Sequence, residues 1–368
     1  MGQSVPEKGN MAVFNRFGLL AFCMAFALTT SKSKACTDVV IHNGDRTVVS
    51  GRTMDFAIET EGNIIAKAHD TEVKDELLGM TDAKAKPLTW KVKYASVLVG
   101  VCEIPCYPDG LNSAGLSVSA LWQFGAEPAQ TVIAGTSAIT SGTLSEYLLE
   151  NASTVAEAKE LIKKLSIFGM TDPKRKLRVE LHWIITDKTG KSVVVEMKGG
   201  KPRFFDDASE INVLTNQPDY EQQVASFKRY TYLSPVNRKD DVIEGQFVNG
   251  SGALGMPGDY TPGSRFVKTA FLAKYLTPVK SAYDGVNAVL HILHNVEVPR
   301  GAVAEGMYTQ WTVVQDHDNL RYYFESYNHP KVKYIDLKIL DFRKAVGHRI
   351  AIDYDAEGDL TNLLTRPK

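Results

Sequence analysis

The chain has 368 residues, with 42 basic and 43 acidic side chains, a net charge of -1, 44% hydrophobic and 23% charged residues. This is ordinary soluble globular usage at a length that suits one large or two average domains, and it excludes disorder, collagen-like repeats and coiled coil. Balanced charge removes the electrostatic footprint of a nucleic-acid or anionic-membrane binder, and four cysteines cannot supply a disulfide framework.

The polar stretch Met1 to Asn10 precedes a run with Arg16, an apolar segment from Phe17 to Leu28, and then small residues. That is the pattern of a secretory signal, too short to span a bilayer. Residues 1–35 are therefore read as a signal peptide, 1–10 as a mis-assigned start ahead of Met11, and 36–368 as a single exported domain, periplasmic or secreted. Ser33 and Ala35 are the small residues a signal peptidase accepts, and cleavage after Ala35 leaves Cys36 first. Three roles compete for such a cysteine: a small apolar residue opening a strand, a lipid attachment point, or a nucleophile whose own α-amine is the base. Lipidation usually has leucine three places earlier, where this chain has Ser33.

CTDVVIHN and RTVVSGRTM flank Asn43-Gly44-Asp45 and predict an opening hairpin. Val92–Val101 and Gly115–Phe124 are further strand candidates. Capping-box spacing at Thr143/Glu146 and Thr154/Glu157 predicts two helices, with Leu161, Ile162 and Leu165 as a buried stripe. LHWIITD and KSVVVEM form the clearest hairpin, Ile211–Asn216 adds a strand, and helical patterns return over 220–233, 264–276 and 283–296. YTQWTVVQD and LRYYFESY pair across Asp318-Asn319. No repeat of 20 to 50 residues is visible. Hairpins outnumber strand-helix-strand crossovers, so the expected fold is α+β, with antiparallel sheets covered by helices. The glycine- and proline-rich stretch 250–263 reads as a loop at a site.

The same hairpin brings Arg52 and Asp55 near Cys36. A thiol beside a fixed positive charge is held partly as thiolate, and an α-amine can exchange its proton near neutral pH, so no histidine is required. Asp55 would hold the amine and offset the charge; the alternative is an Arg-Asp surface pair of negligible effect.

CTDVVIHN and GRTMDF, followed by DGLNSAGL, ELHWIITDKTGKSVVVE, VLTNQP, MPGDYTPGSRFVKTAFL and HILHNVEVPRG, together resemble the choloylglycine hydrolase family of penicillin V acylases and conjugated bile salt hydrolases. The resemblance spans nearly the whole chain beyond residue 35. It implies the N-terminal nucleophile hydrolase fold, a four-layer αββα sandwich of two antiparallel sheets, and hydrolysis of linear amides. It also implies Cys36 as nucleophile, Arg52 and Asp55 beside it, Asn216 as an oxyanion donor, Arg265 as a second arginine and a homotetrameric assembly. Asn112 matches a turn asparagine with a structural role. Many members have asparagine or tyrosine near the oxyanion hole where this chain has Trp122; its backbone amide would then supply the donor. Trp122 and Phe56 are the candidate substrate-binding residues, for a phenoxyacetyl penicillin, a conjugated bile acid or an acyl-homoserine lactone.

Other features carry less. His291 and His294 have helical spacing but lack a third ligand, so neither metal nor cofactor is expected. His182 reads as a packed, hydrogen-bonded residue. Cys102 and Cys106 have a structural role or form a disulfide. The alternative from another class is a lipid-anchored exported binding protein acylated at Cys36, with the small-molecule amide as the partner expected of the hydrolase reading.

Overall fold

A computed structural model describes residues 34–42, 47–80, 82, 85–206 and 208–366. The signal peptide, apart from its last two positions, and the Asn43-Gly44-Asp45 turn lie outside the described residues.

Two antiparallel sheets carry the fold. In the first, Lys34–His42 pairs with Val48–Phe56, and the seven strands run in the order 213–214, 34–42, 48–56, 308–316, 321–326, 333–336, 358–359, with only the last pair parallel. The second has eight strands, in the order 201–205, 192–198, 181–186, 117–122, 109–112, 96–100, 63–67, 349–351. All the predicted hairpins form, including Leu181–Thr186 with Ser192–Lys198 and Tyr308–Asp316 with Arg321–Ser326.

Strand Lys34–His42 faces strand Ser117–Trp122 of the other sheet. Helices Pro262–Lys274 and Ala282–His294 cover the outer side of the first sheet, and Leu144–Asn151 and Val155–Ile162 the outer side of the second. This is the αββα layering. Every residue of Val48–Phe56 is buried because one side of that strand meets helix and the other meets sheet. A side chain at Gly51 would come within 2.8 Å of Val289 on helix Ala282–His294, so glycine is what lets helix and strand approach.

Local predictions differ from the structure in identifiable ways. Thr154 caps its helix by accepting from Glu157 N at 3.2 Å. Thr143 does not cap; its hydroxyl bonds Asp75, and Glu146 instead pairs with Lys67. Tertiary partners out-competed the local motif. Of the stripe Leu161, Ile162 and Leu165, only Ile162 is a buried helix residue, because Leu165 opens strand Leu165–Phe168 and Leu161 is half-buried. The strand at Ile211–Asn216 contracts to Val213–Leu214, an edge pairing with Lys34–His42. The helix at 220–233 stops at Phe227.

Candidate active site

The register of the opening hairpin places Cys36 opposite Met54, Asp38 opposite Arg52 and Ala35 opposite Asp55. Side chains alternate along a strand. Arg52 therefore shares a face with Met54 and Cys36 and points between the sheets, whereas Asp55, an odd number of residues away, points towards the helices.

Arg52 is fully buried. It donates to Cys36 Sγ at 2.9 Å, to the carbonyl of Ala120 at 2.7 Å and of Pro108 at 3.1 Å, and through Nε to the carbonyl of Thr53 at 3.2 Å. Two of those carbonyls belong to the second sheet or its approach, so the guanidinium fastens the two sheets together beside the sulfur. Met54 Sδ lies 3.9 Å from Cys36 Sγ. Nearby, Asp109 accepts from Ser119, Gln315 and Tyr322; burial pushes its carboxyl up to about 6 against the opposing pull of Arg52. Burial also raises Asp38 well above the ordinary carboxylate range.

On the other face, Asp55 Oδ2 lies 3.6 Å from Arg265 Nη1, and Asp55 Oδ1 accepts from Thr309 at 2.6 Å. Burial raises the Asp55 carboxyl, with Arg265 the main opposing charge and Arg52 the weakest. The expectation that Asp55 offsets Arg52 is corrected accordingly: the strand's alternation gives Asp55 to Arg265. Burial also pushes the Arg265 guanidinium down, against the pull of Asp55. Asp55 Oδ2 has no hydrogen-bond partner.

Asn216 joins these groups. Its Oδ1 accepts from Cys36 N at 2.6 Å and from Arg265 Nη2 at 2.8 Å, while Nδ2 donates to the carbonyl of Trp122 at 2.8 Å. Arg265 completes the frame by donating to the Cys36 carbonyl at 2.6 Å, to Thr37 Oγ1 and, through Nε, to the Tyr260 carbonyl. Cys36, Arg52, Asp55, Asn216 and Arg265 thus form one connected buried cluster. Cys36 is 3% exposed and Arg52 holds its sulfur inside the fold rather than at the surface where an anchor would leave for a membrane, which counts against the lipid-anchor alternative.

Cys36 opens onto a narrow, mostly apolar cavity of about 60 Å³. Phe56 and Trp122 line it with their ring centroids 6.0 Å apart, together with Ile104, Leu177 and Leu181. Cys102 and Cys106 line it as unbridged, buried thiols, and burial pushes Cys106 up to about 12. The larger cavities lie elsewhere, including one of about 520 Å³ between the 210–212 segment and helix Pro262–Lys274.

Asn112 is structural. Its Oδ1 accepts from the Ala114 and Leu116 amides and its Nδ2 donates to the Leu149 and Ala152 carbonyls. His182 is fully buried, 3.6 Å from Glu196, but neither ring nitrogen has a hydrogen-bond partner. It is packed but not hydrogen-bonded, because Glu196 turns to Gln123 and the Tyr220 amide instead. The loop at 250–263 supplies the Tyr260 carbonyl to Arg265 and the Thr261 cap of the helix that carries it. Met54, Thr37 and Thr309 escaped sequence reasoning; counting the hairpin register from its turn would have found Met54. Among the described residues no helix is long and apolar enough to cross a membrane.

A family model described as linear amide C-N hydrolases, choloylglycine hydrolase family, matches residues 36–358, so the match begins at the cysteine of this cluster. The bile salt hydrolase/transferase of Clostridium perfringens is 30% identical over 82% of this chain and 92% of its own. The penicillin V acylase of Pectobacterium atrosepticum is 26% identical over 90% and 88%. The crystal structure of a conjugated bile acid hydrolase variant from Clostridium perfringens superposes with a TM-score of 0.74 at 27% identity, covering 88% of this chain and 98% of that one. With the αββα layering and a buried N-terminal-type cysteine site in place, the chain belongs to the choloylglycine hydrolase family and is a hydrolase of linear amide C–N bonds that uses an N-terminal cysteine nucleophile.

Proposed function

We propose that the chain is exported to the periplasm or beyond, loses residues 1–35, and then hydrolyses an N-acyl amide with a slim apolar or aromatic acyl group, of the phenoxyacetyl kind found in penicillin V. The observation that carries the substrate reading is the shape of the cavity beside Cys36, narrow and flanked by Phe56 and Trp122. A single flat ring laid against this aromatic pair needs only small movements of the lining, whereas a rigid steroid needs far more of the 300–1,000 Å³ typical of ligand sites. A conjugated bile acid is the second reading, favoured by the 30% identity to the bile salt hydrolase/transferase; an acyl-homoserine lactone is the third member of the panel.

In the proposed mechanism the Cys36 sulfur attacks the amide carbonyl while its freed α-amine takes the thiol proton and passes it to the leaving nitrogen. Arg52, already donating to the sulfur, stabilises its negative charge. The α-amine forms at the atom that now donates to Asn216 Oδ1, on the strand position next to Asp55, whose Oδ2 faces Arg265 but accepts no hydrogen bond. Asp55 and Asn216 would hold that amine. Arg265 keeps Asn216 and the Cys36 carbonyl in register. Asn216 Nδ2 and a backbone amide near Trp122 would donate to the oxyanion. Water then cleaves the thioester.

Rates for the three substrate classes with the purified mature enzyme test the acyl preference. Fastest turnover of phenoxyacetyl penicillin is expected, and a bile acid conjugate hydrolysed faster would overturn it. Cys36→Ser, and separately one extra residue left ahead of Cys36, should each abolish hydrolysis, because one removes the sulfur and the other turns the amine into an amide. The homotetramer implied by the resemblance is tested by light scattering of the mature protein.

A further inference from the structure

A second cavity, of about 310 Å³, opens where helix Ala282–His294 ends over the strands Tyr308–Asp316 and Arg321–Ser326. His294, Glu297 and Glu325 line it and bring one imidazole nitrogen and two carboxylate oxygens within 4.8 Å of one another. His294 Nε2 contacts Glu325 Oε1 and lies 3.9 Å from Glu297 Oε1. Among the described residues, His294 is the only basic side chain in ion-pair contact with either carboxylate, so two acids share one imidazole. The Glu325 side chain is 7% exposed and that of His294 41%, which places the donors at the foot of an opening that solvent reaches.

We propose that His294, Glu297 and Glu325 form a binding site for a divalent transition-metal ion of the zinc type. Nitrogen and carboxylate ligands hold Zn²⁺ at about 2.0 to 2.2 Å, so three ligands around one ion sit roughly 3 to 4 Å apart. The 3.9 Å between His294 and Glu297 already meets that spacing, the His294–Glu325 contact must open, and all three donors start within 4.8 Å of one another. On entry the ion takes the place of the proton between His294 Nε2 and Glu325, which leaves to water; a water molecule supplies the fourth ligand on the solvent side. Glu297 Oε1 accepts from Thr312 Oγ1 at 2.8 Å, the kind of outer hydrogen bond that orients a ligating carboxylate. Mg²⁺ and Ca²⁺ want six or more oxygens and a site without imidazole, so the set selects against them. The motif that drew attention in the sequence, two histidines a turn apart, is incomplete as read: His294 finds its partners in Glu297 and in Glu325 on a distant strand.

Zn²⁺ itself is the probe, in equilibrium dialysis of mature protein carrying Cys36→Ser, a change that removes the reactive thiol as a competing ligand. One Zn²⁺ per chain is expected, with affinity lowered at least tenfold by each of His294→Ala, Glu297→Gln and Glu325→Gln, and unchanged when Mg²⁺ is present in excess. Circular dichroism verifies that each variant is folded; if His294→Ala is not, His294→Gln replaces it. Co²⁺ in place of Zn²⁺ should give weak visible bands without sulfur charge transfer. The proposal is overturned if no Zn²⁺ binds, if the three folded variants bind as the parent does, or if Co²⁺ shows sulfur charge transfer, which would place the ion at Cys102 and Cys106.

Discussion

Replacing Arg52 with methionine removes the guanidinium that sits between the sheets beside Cys36 while keeping an apolar side chain of fair length. Two consequences separate cleanly. The hydrogen bond to Sγ is lost, and turnover should fall by at least about 100-fold, as when an electrostatic stabiliser of a reacting group is removed. Asp109 and Asp38 also lose the positive charge that opposes their burial, and breaking such a buried arrangement costs about 3 to 5 kcal/mol. The stability loss must depend on pH. The wild-type Asp109 carboxyl titrates at about 6; without Arg52 it stays protonated to higher pH, while in the unfolded chain it is ionised throughout that range. Each pH unit in which the folded variant holds a proton that the unfolded chain lacks costs about 1.4 kcal/mol. Between pH 6 and pH 8 the destabilisation relative to wild type should therefore grow by up to about 2.3 kcal/mol from this one group, because the wild-type carboxyl still holds half a proton at pH 6. Urea unfolding of Arg52→Met and wild type at pH 5, 6, 7 and 8 measures it. Adding Asp109→Asn should remove most of the pH-dependent part. A destabilisation that stays constant from pH 5 to 8 would refute the charge argument.

Asn216→Ala should lower kcat by about 100- to 1,000-fold and loosen the Cys36 backbone, since Oδ1 accepts from Cys36 N and Arg265 at once; steady-state kinetics with a phenoxyacetyl amide checks this. Trp122→Ala should widen the cavity and shift preference towards bulkier acyl groups, seen as a change in relative kcat/KM across the substrate panel. The Glu150 carboxyl is pushed up to about 8 by burial, with the neighbouring Glu146 adding to it. A raised carboxyl stabilises the fold below the unfolded value near 4.5 and loses that contribution as pH rises through the folded one. Glu150→Gln should therefore flatten the decline in thermal midpoint between pH 5 and 8, and a decline as steep as wild type would count against it.

The hairpins were readable because strand alternation, turn residues and β-branched runs coincide locally. The site was readable in part for the same reason: Cys36, Arg52 and Asp55 lie on one hairpin. Asn216 and Arg265 lie 180 and 229 residues beyond Cys36, and no local spacing links them to it; only the multi-motif resemblance did. The pairing of Asp55 with Arg265 was misjudged because proximity in sequence was weighed above the alternation that sends residues three apart to opposite faces. Thr143 failed as a cap for a related reason. A buried acid, Asp75, from a segment far away claimed its hydroxyl. The His294 cluster was illegible because one of its acids comes from strand Arg321–Ser326.

Ala35 is 2% exposed and paired with Asp55, so the peptide bond ahead of Cys36 runs inside a hydrogen-bonded ladder. A peptidase needs several extended, accessible residues on each side of the bond it cuts, and that ladder offers none. Where residues 1–35 are removed, the cut must come while the first strand is still unpaired. The proposed removal of residues 1–35 then has a fixed order: trimming first, sheet closure second, with a precursor that folds too early left uncleavable.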